Sequence, residues 1–397
     1  MLTSLALIFI LGLILSSIFQ KLKLPGLIGM ILTGILLGPY ALNLLDSKIL
    51  SISADLRQLA LVIILTRAGL SLNIEDLKKV GRPAILMCFV PACFEMLAVI
   101  ILAPMIFSVT YLEAAIIGSV IAAVSPAVIV PRMLKLIEEG YGKTHSIPQL
   151  ILAGASVDDV FVIVVFTALV SLAQGGNVNF LEFLQIPISI ILGSLTGIII
   201  GYCLNRFFKM FHIRDSVKVI VLLSFSFLML ELEHQLKGMV AISGLIGIMS
   251  MGILIYKSNT KLAKRLSSKY NKLWVAAEVL LFVLVGATVD LSYARKAGVL
   301  AILIVLFALV IRMIGVGVCL IRTKLTKKER IFCMMAYSPK ATVQAAIGGL
   351  PLAYGFACGQ KVLTVAVLSI LITAPLGAFL VDRFYMKLLC KESTVEK

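Results

Sequence analysis

Thirteen apolar segments recur along this chain, and each is long enough to cross a lipid bilayer as a helix. Each segment holds roughly 17–28 residues, whereas a spanning helix needs about 20. In chain order they cover residues 2–19, 24–43, 56–72, 82–107, 112–137, 147–173, 181–207, 216–236, 239–257, 272–293, 296–321, 329–356 and 361–384. Only helices and closed barrels satisfy their backbone inside lipid, and barrel strands are shorter and alternate in hydrophobicity. The segments therefore predict an all-α polytopic membrane protein with 13 transmembrane helices.

The charged residues support this interpretation and predict an orientation. Only 14% of the 397 residues are charged, although the net charge is +16. Nucleic-acid binding is not indicated, because no basic patch is interleaved with aromatic residues. Apart from three that fall inside spans, all but six of the 36 Lys and Arg residues lie on one set of alternate loops and the C-terminus. The positive-inside rule then predicts that the N-terminus lies outside and the C-terminus lies in the cytoplasm. We expect the protein to lie in the cell (inner) membrane, where its partner is membrane lipid. The short basic loop 256–272 is expected to lie along the inner membrane surface.

The thirteen helices can be divided into six, a linking seventh and six more, so that the second six run inverted relative to the first. Ser125-Pro126 falls in the fifth helix of the first repeat, and Ser338-Pro339 falls in the fifth helix of the second. Proline removes a backbone donor and clashes with the preceding turn, so each helix is expected to break at Pro126 or Pro339. Two ordinary proline kinks are the alternative. Paired interruptions in inverted repeats are typical of a transporter's binding site, where two discontinuous helices cross.

The most unusual pair of residues is Asp158-Asp159, in the middle of the span 147–173. A charge at the centre of a membrane costs about 2.5–3.5 kcal/mol or more, and the neighbouring charge adds repulsion. The pair therefore needs a water-filled cavity and a cationic partner. Successive helical residues are about 100° apart, so both carboxylates can line one cavity. Carboxylate oxygens suit Na⁺ or Li⁺, and we predict that such a cation competes there with a proton, as in an antiporter.

Three more charges lie near mid-membrane. Glu95 and Arg312 each occupy the fourth helix of a repeat, and the simplest assignment for both is a buried ion pair that acts as a clamp or gate. Lys340 directly follows Pro339, where its charge can offset the carbonyl ends of the broken helices.

The helix breaks are also expected to supply ligands. A broken helix frees backbone carbonyls, so we predict that Val124 and Ser125 join Asp158 and Asp159 around the cation. The five buried charges sum to one negative charge, which a single monovalent cation or proton balances.

Several stretches together resemble the monovalent cation/proton antiporter superfamily, and the NHA-type sodium/proton antiporters most of all. They are LPGLIGMILTGILLGP, LTRAGLSL, SPAVIVP, ASVDD and SPKATVQAAIG. The resemblance implies an inverted-repeat fold with two crossed, broken helices, a homodimer, and no cofactor besides the transported Na⁺ or Li⁺ and H⁺. It also implies one transporter domain over residues 1–397. In that domain core helices 82–173 and 296–384 slide, as in an elevator, against a dimerisation scaffold of helices 1–72 and 181–293.

The resemblance also implies residue roles. Asp159 would be the main cation and proton ligand with Asp158 as its neighbour, Glu95 and Arg312 would form the inter-helix ion pair, and Lys340 would lie beside the helix crossing. Electrogenic members carry a lysine where this chain has Arg312. Because arginine stays protonated, a second proton has no carrier unless Asp158 or Lys340 supplies it, and one-for-one exchange is favoured here.

Three other functions are alternatives to sodium/proton exchange. A potassium/proton exchanger or a channel-like relative on the same fold stays open, because selectivity depends on cavity size. An enzyme is not expected: adjacent aspartates on one helix are badly placed for aspartic chemistry, and no GxGD, GxSxG or HExxH element occurs. A symporter for an organic anion conflicts with the negative charge expected in the cavity.

Overall fold

The computed structural model describes residues 1–22, 24–71, 81–175, 180–211, 213–236 and 242–391. The first nine helices of this part are α1 (Leu2–Lys21), α2 (Gly26–Leu37), α3 (Ser47–Ser51), α4 (Ser53–Ser71), α5 (Arg82–Met87), α6 (Val90–Phe107), α7 (Tyr111–Ile121), α8 (Pro126–Glu139) and α9 (Ile147–Gly175). The next nine are α10 (Phe180–Met210), α11 (Asp215–Gln235), α12 (Gly244–Ser258), α13 (Thr260–Ala287), α14 (Leu291–Cys319), α15 (Lys327–Ala336), α16 (Thr342–Ile347), α17 (Leu350–Ala353) and α18 (Gly359–Leu388). Extended structure among these residues is limited to an isolated antiparallel bridge between Tyr141 and Lys391.

Seven helical stretches within the described residues are long and apolar enough to cross a membrane. They are Leu2–Lys21, Arg82–Phe107, Ile147–Gln174, Ile191–Met210, Thr260–Ala287, Gly298–Cys319 and Gly359–Leu388. The chain is therefore an all-helical, polytopic membrane protein. Of the predicted spans, residue 72 and residues 239–241 lie outside the described part of the chain.

One sequence-based boundary was wrong, and one predicted helix has an interruption. The predicted surface loop 256–272 is mostly helical, because α12 continues to Ser258 and α13 begins at Thr260. The physical reason is amphipathicity, since apolar residues such as Leu266 are buried while the lysines face outward. The predicted single helix 82–107 is interrupted between Met87 and Val90, where Pro91 follows and removes a backbone donor.

The chain divides into two compact units. The first comprises Met1–Ser51, Glu75–Val162 and Phe282–Lys397, and the second comprises Ile52–Ile74 and Ile163–Leu281.

In the second unit, α12 packs against α4, α10 and α11. The approach of α12 to α4 is close because both contribute a glycine. A Cβ atom added to Gly252 would meet the backbone of Gly69 at 2.8 Å, which is too near for a side chain.

In the first unit, α18 packs against α7, α8, α14, α15 and α16, and α6 packs against α7 and α14. An apolar cluster holds several of these helices together, and it includes Met87, Met133, Ile151, Phe332 and Tyr385. Close packing of these side chains fixes the positions of the helices that carry the charged residues.

Candidate functional site

Two interrupted helices meet in the first unit. Residues 122–125 separate α7 from α8, and residues 337–341 separate α15 from α16. Pro126 is the first residue of α8, where its missing N–H is no loss to the helix. The two breaks are joined directly, because the Ser125 N–H donates to the Pro339 carbonyl at 2.8 Å.

The C-terminal end of α7 presents three carbonyl oxygens to the crossing, and each accepts a side-chain donor. The carbonyls of residues 121–123 accept, in order, from Lys340 Nζ at 2.5 Å, from Arg312 Nη1, and from Gln344 Nε2 at 2.8 Å. The end of a helix carries partial negative charge and orphan carbonyls. Two cations and one amide therefore satisfy groups that lipid or an apolar core could not.

The same cations hold two fully buried carboxylates. Glu95 lies between Lys340 Nζ, 2.7 Å away, and Arg312 Nη1, 3.0 Å away. Asp158 Oδ2 accepts from Arg312 Nη2 at 2.9 Å and from the Val124 N–H at 2.7 Å. The four charged side chains are all 0% exposed. Removing ions from water is costly unless they pair closely, and here two acids and two bases do so.

Asp159 differs from its neighbour. Its side chain is partly exposed, and within the described residues it takes part in none of the salt bridges. Its Oδ1 atom has no hydrogen-bond partner, and neither do the buried atoms Asp158 Oδ1, Ser125 Oγ, Thr342 Oγ1 and Gln344 Oε1. These are oxygen ligands of the kind that hard cations prefer.

A glycine one turn before the aspartates allows this packing. A Cβ atom at Gly154 would collide with the hydroxyl of Tyr337, the residue that opens the second break. The Tyr337 hydroxyl donates to the Met87 carbonyl at 3.4 Å. The ring of Tyr337 is thereby held against α9, next to the turn that carries Asp158.

The structure brings together most of the residues selected from sequence. Glu95, Arg312, Lys340 and Asp158 form one cluster at the crossing, and Ser125 and Val124 lie in the first break. Three features were missed: the contact from Arg312 to Asp158, the role of Gln344, and the 3.0 Å hydrogen bond from the Lys340 N–H to Thr373 Oγ1. Gln344 is four residues after Lys340 and directly follows the predicted break, which is a signal that could have found it.

Comparisons with known proteins identify a family and a shared fold. Residues 5–386 match the family model described as sodium/hydrogen exchanger, transmembrane. The human sodium/hydrogen exchanger 9B2 is 33% identical over 383 residues, which cover 93% of this chain and 70% of that protein. Human sodium/hydrogen exchanger 9B1 is 31% identical over 353 residues, covering 85% and 67%. The structure of the sodium proton antiporter MjNhaP1 from Methanocaldococcus jannaschii shares the fold, with a TM-score of 0.85, 19% identity and coverage of 98% of both chains.

Proposed function

The chain belongs to the sodium/hydrogen exchanger family, and we propose that it exchanges sodium ions for protons at the crossing of its two broken helices. The resemblance to the monovalent cation/proton antiporter superfamily is confirmed by the family match. The relatives are exchangers by name, and we propose no enzymatic reaction for this chain.

The charge balance at the crossing is the observation that carries the proposal. Glu95 and Asp158 are matched by Arg312 and Lys340, so these four residues are neutral as a group. Asp159 then leaves one unbalanced negative charge in a place that disfavours any bare charge. One sodium ion or one proton restores neutrality, so each displaces the other, and a core that moves only when neutral couples their fluxes.

The proposed ligand set follows from the unpartnered oxygens. Asp159 is the main cation and proton ligand, with Asp158 Oδ1 beside it and the Ser125 hydroxyl completing the side-chain donors. The Val124 carbonyl is a further proposed ligand, because the hydrogen bond from the Val124 N–H to Asp158 holds this residue of the first break beside the aspartates. Li⁺, a smaller ion of the same charge, fits the same oxygen chemistry.

Arg312 supports one-for-one exchange. Its guanidinium donates to two carboxylates and to the carbonyls of Ala122 and Tyr337, so its proton-bearing nitrogens are engaged. Arginine does not release a proton at accessible pH. With Arg312 excluded as a carrier, the charge balance at Asp159 leaves one proton per cation.

The proposed architecture is that of thirteen spans in two inverted repeats with a linking helix. Elevator-like movement would carry the core, residues 82–173 and 296–384, against a scaffold of residues 1–72 and 181–293 in each protomer of a homodimer. The Lys and Arg distribution supports a cytoplasmic C-terminus and an external N-terminus in the cell membrane.

Proton flux in proteoliposomes tests the proposal. Purified protein is reconstituted with an internal pH dye, and Na⁺, Li⁺ and K⁺ are added in turn with the voltage clamped and unclamped. We expect Na⁺ and Li⁺ to drive proton movement at a rate that does not depend on voltage. Flux driven by K⁺ alone would support the potassium/proton alternative, and current without a pH gradient would indicate a channel.

A further inference from the structure

A second polar region lies far along the chain from the aspartate pair, at the start of α13. Residues 260–272 form its first turns, with Leu262, Leu266 and Tyr270 buried and the basic residues facing outward. The loop-charge distribution assigns this end of the helix to the cytoplasmic side.

A cavity of about 250 Å³ opens there, within the second unit. Its polar lining consists of Ser71, Tyr256, Lys264, Ser267, Ser268 and Asn271. The last residue of α4 is tied to α13, because the Ser71 and Ser267 hydroxyl oxygens are 2.8 Å apart and share a hydrogen bond. Residues that carry hydroxyl, phenol, amide and ammonium groups therefore line one space.

Two adjacent basic residues of α13 are used differently. Arg265 Nε donates to Asp215 at 2.8 Å, and the same carboxylate also faces Lys218 Nζ at 3.4 Å. Lys264, which lines the cavity, is exposed and makes no hydrogen bond or salt bridge with the described residues. Its positive charge is available to a ligand, whereas that of Arg265 is already matched.

We propose that this cavity binds the phosphate headgroup of an anionic lipid from the cytoplasmic leaflet. Lysines at 257, 261, 269 and 272 flank the cavity in sequence and raise the local positive potential, and basic pockets at this level of a membrane attract anionic lipids. Free phosphate has the same headgroup chemistry. The surface beside the cavity favours the lipid, because Val275 lies one turn after Asn271 on the same face of α13 and is 57% exposed, which offers apolar contact to acyl chains.

The single tryptophan of the chain gives a direct probe. Trp274 lies three residues after Asn271 on the same helix, about 4.5 Å further along its axis. The full-length protein is reconstituted with increasing fractions of brominated phosphatidylglycerol or brominated phosphatidylcholine, and quenching of Trp274 fluorescence is measured. We expect the anionic lipid to quench at lower mole fractions than the neutral one.

Loss of one basic residue near a membrane surface raises the mole fraction of phosphatidylglycerol for half-maximal quenching by about fivefold. Lys264→Ala should raise it by more than this amount, because Lys264 also lines the cavity. Lys269→Ala is the matched control, because it removes the same charge from the same helix outside the cavity. Ser267→Ala, which removes a lining hydroxyl without a charge change, should also weaken quenching, and Lys264→Arg should retain it.

Equal effects of Lys264→Ala and Lys269→Ala would overturn the proposal, since they would indicate diffuse surface charge. Relief of quenching by inorganic phosphate would assign the cavity to a free anion instead of a lipid. The assay needs no transport activity, so it stands apart from the proposed exchange reaction.

Discussion

The two helix breaks look alike in sequence, with Ser125-Pro126 at the end of the first and Ser338-Pro339 within the second, but the second also carries a charged side chain. The first break, residues 122–125, offers backbone groups: carbonyls that accept from Arg312 and Gln344, and N–H groups that donate to Asp158 and Pro339. The second break, residues 337–341, supplies a cation, Lys340. Two similar Ser-Pro interruptions can therefore form an asymmetric site, in which one break presents partial charges and the other presents the full charge that balances them.

The largest effect is expected from removing the residue that serves both breaks. Arg312→Ala leaves Glu95 and Asp158 with one fewer cation and orphans two carbonyls, so the free energy of unfolding should fall by about 3–5 kcal/mol. The midpoint of thermal unfolding in detergent measures this. Arg132→Ala is the control, because Arg132 also pairs with an aspartate, Asp382. The side chains of this pair are 22% and 52% exposed, whereas those of the Arg312 pairs are 0% exposed, so the loss of stability should be minor. Equal losses would mean that Arg312 is solvated like a surface residue.

A double-mutant cycle tests whether the charges act as a unit. Glu95→Ala and Arg312→Ala should each destabilise, and the double variant should lose about 2–3 kcal/mol less than the sum, because each single change already removes the contact between the two side chains. Strict additivity in thermal unfolding would contradict the 3.0 Å contact between the two side chains.

A smaller effect is expected from a neutral donor at the same carbonyls. Gln344→Ala leaves the Ala123 carbonyl without its side-chain donor, so stability should fall by about 1–2 kcal/mol. The comparison of breaks predicts that this loss is less than that of Arg312→Ala in the same thermal assay. The reverse order would show that hydrogen bonding, and not charge, holds the first break.

The smallest effect is expected at an ion pair away from both breaks. The hydrogen bond from Arg265 holds the pKa of the Asp215 carboxyl below its usual range. A carboxyl with a lowered folded-state pKa stabilises the protein above the ordinary value of about 4, and this contribution is lost as pH falls through the folded-state pKa. Asp215→Asn should therefore reduce the unfolding midpoint slightly at neutral pH, and the difference from wild type should close in acid. A difference that grows in acid would contradict the sign.

Much of this arrangement is encoded locally, and its limits are physical. Ser-Pro pairs predict the sites of interruption because proline's lost N–H and its ring act within one turn. The contact between Glu95 and Arg312 was anticipated from their matching repeat positions. The second contact of Arg312, to Asp158, depends on the rotation of α9 about its axis, which apolar length alone does not define.

The start of α13 was predicted as a loop but is helical. The many lysines of this segment led to the prediction of a surface loop. The segment is helical because its apolar residues form one buried stripe, made of Leu262, Ala263, Leu266 and Tyr270. The basic residues of 257–272 lie between the apolar residues, so the apolar residues form no continuous run that would predict a helix. Gln344 was not predicted either, because it is uncharged and its role depends on the position of the Ala123 carbonyl, which the sequence does not give.

Sodium-driven proton flux in proteoliposomes carrying Asp159→Asn tests the central claim most directly. Asp55→Asn is the matched control, because it is the same chemical change at an exposed residue. We expect Asp159→Asn to abolish exchange in a protein that unfolds at a near-normal temperature, and Asp55→Asn to exchange normally. Exchange at the wild-type rate by Asp159→Asn would contradict the assignment of cation and proton to this carboxylate.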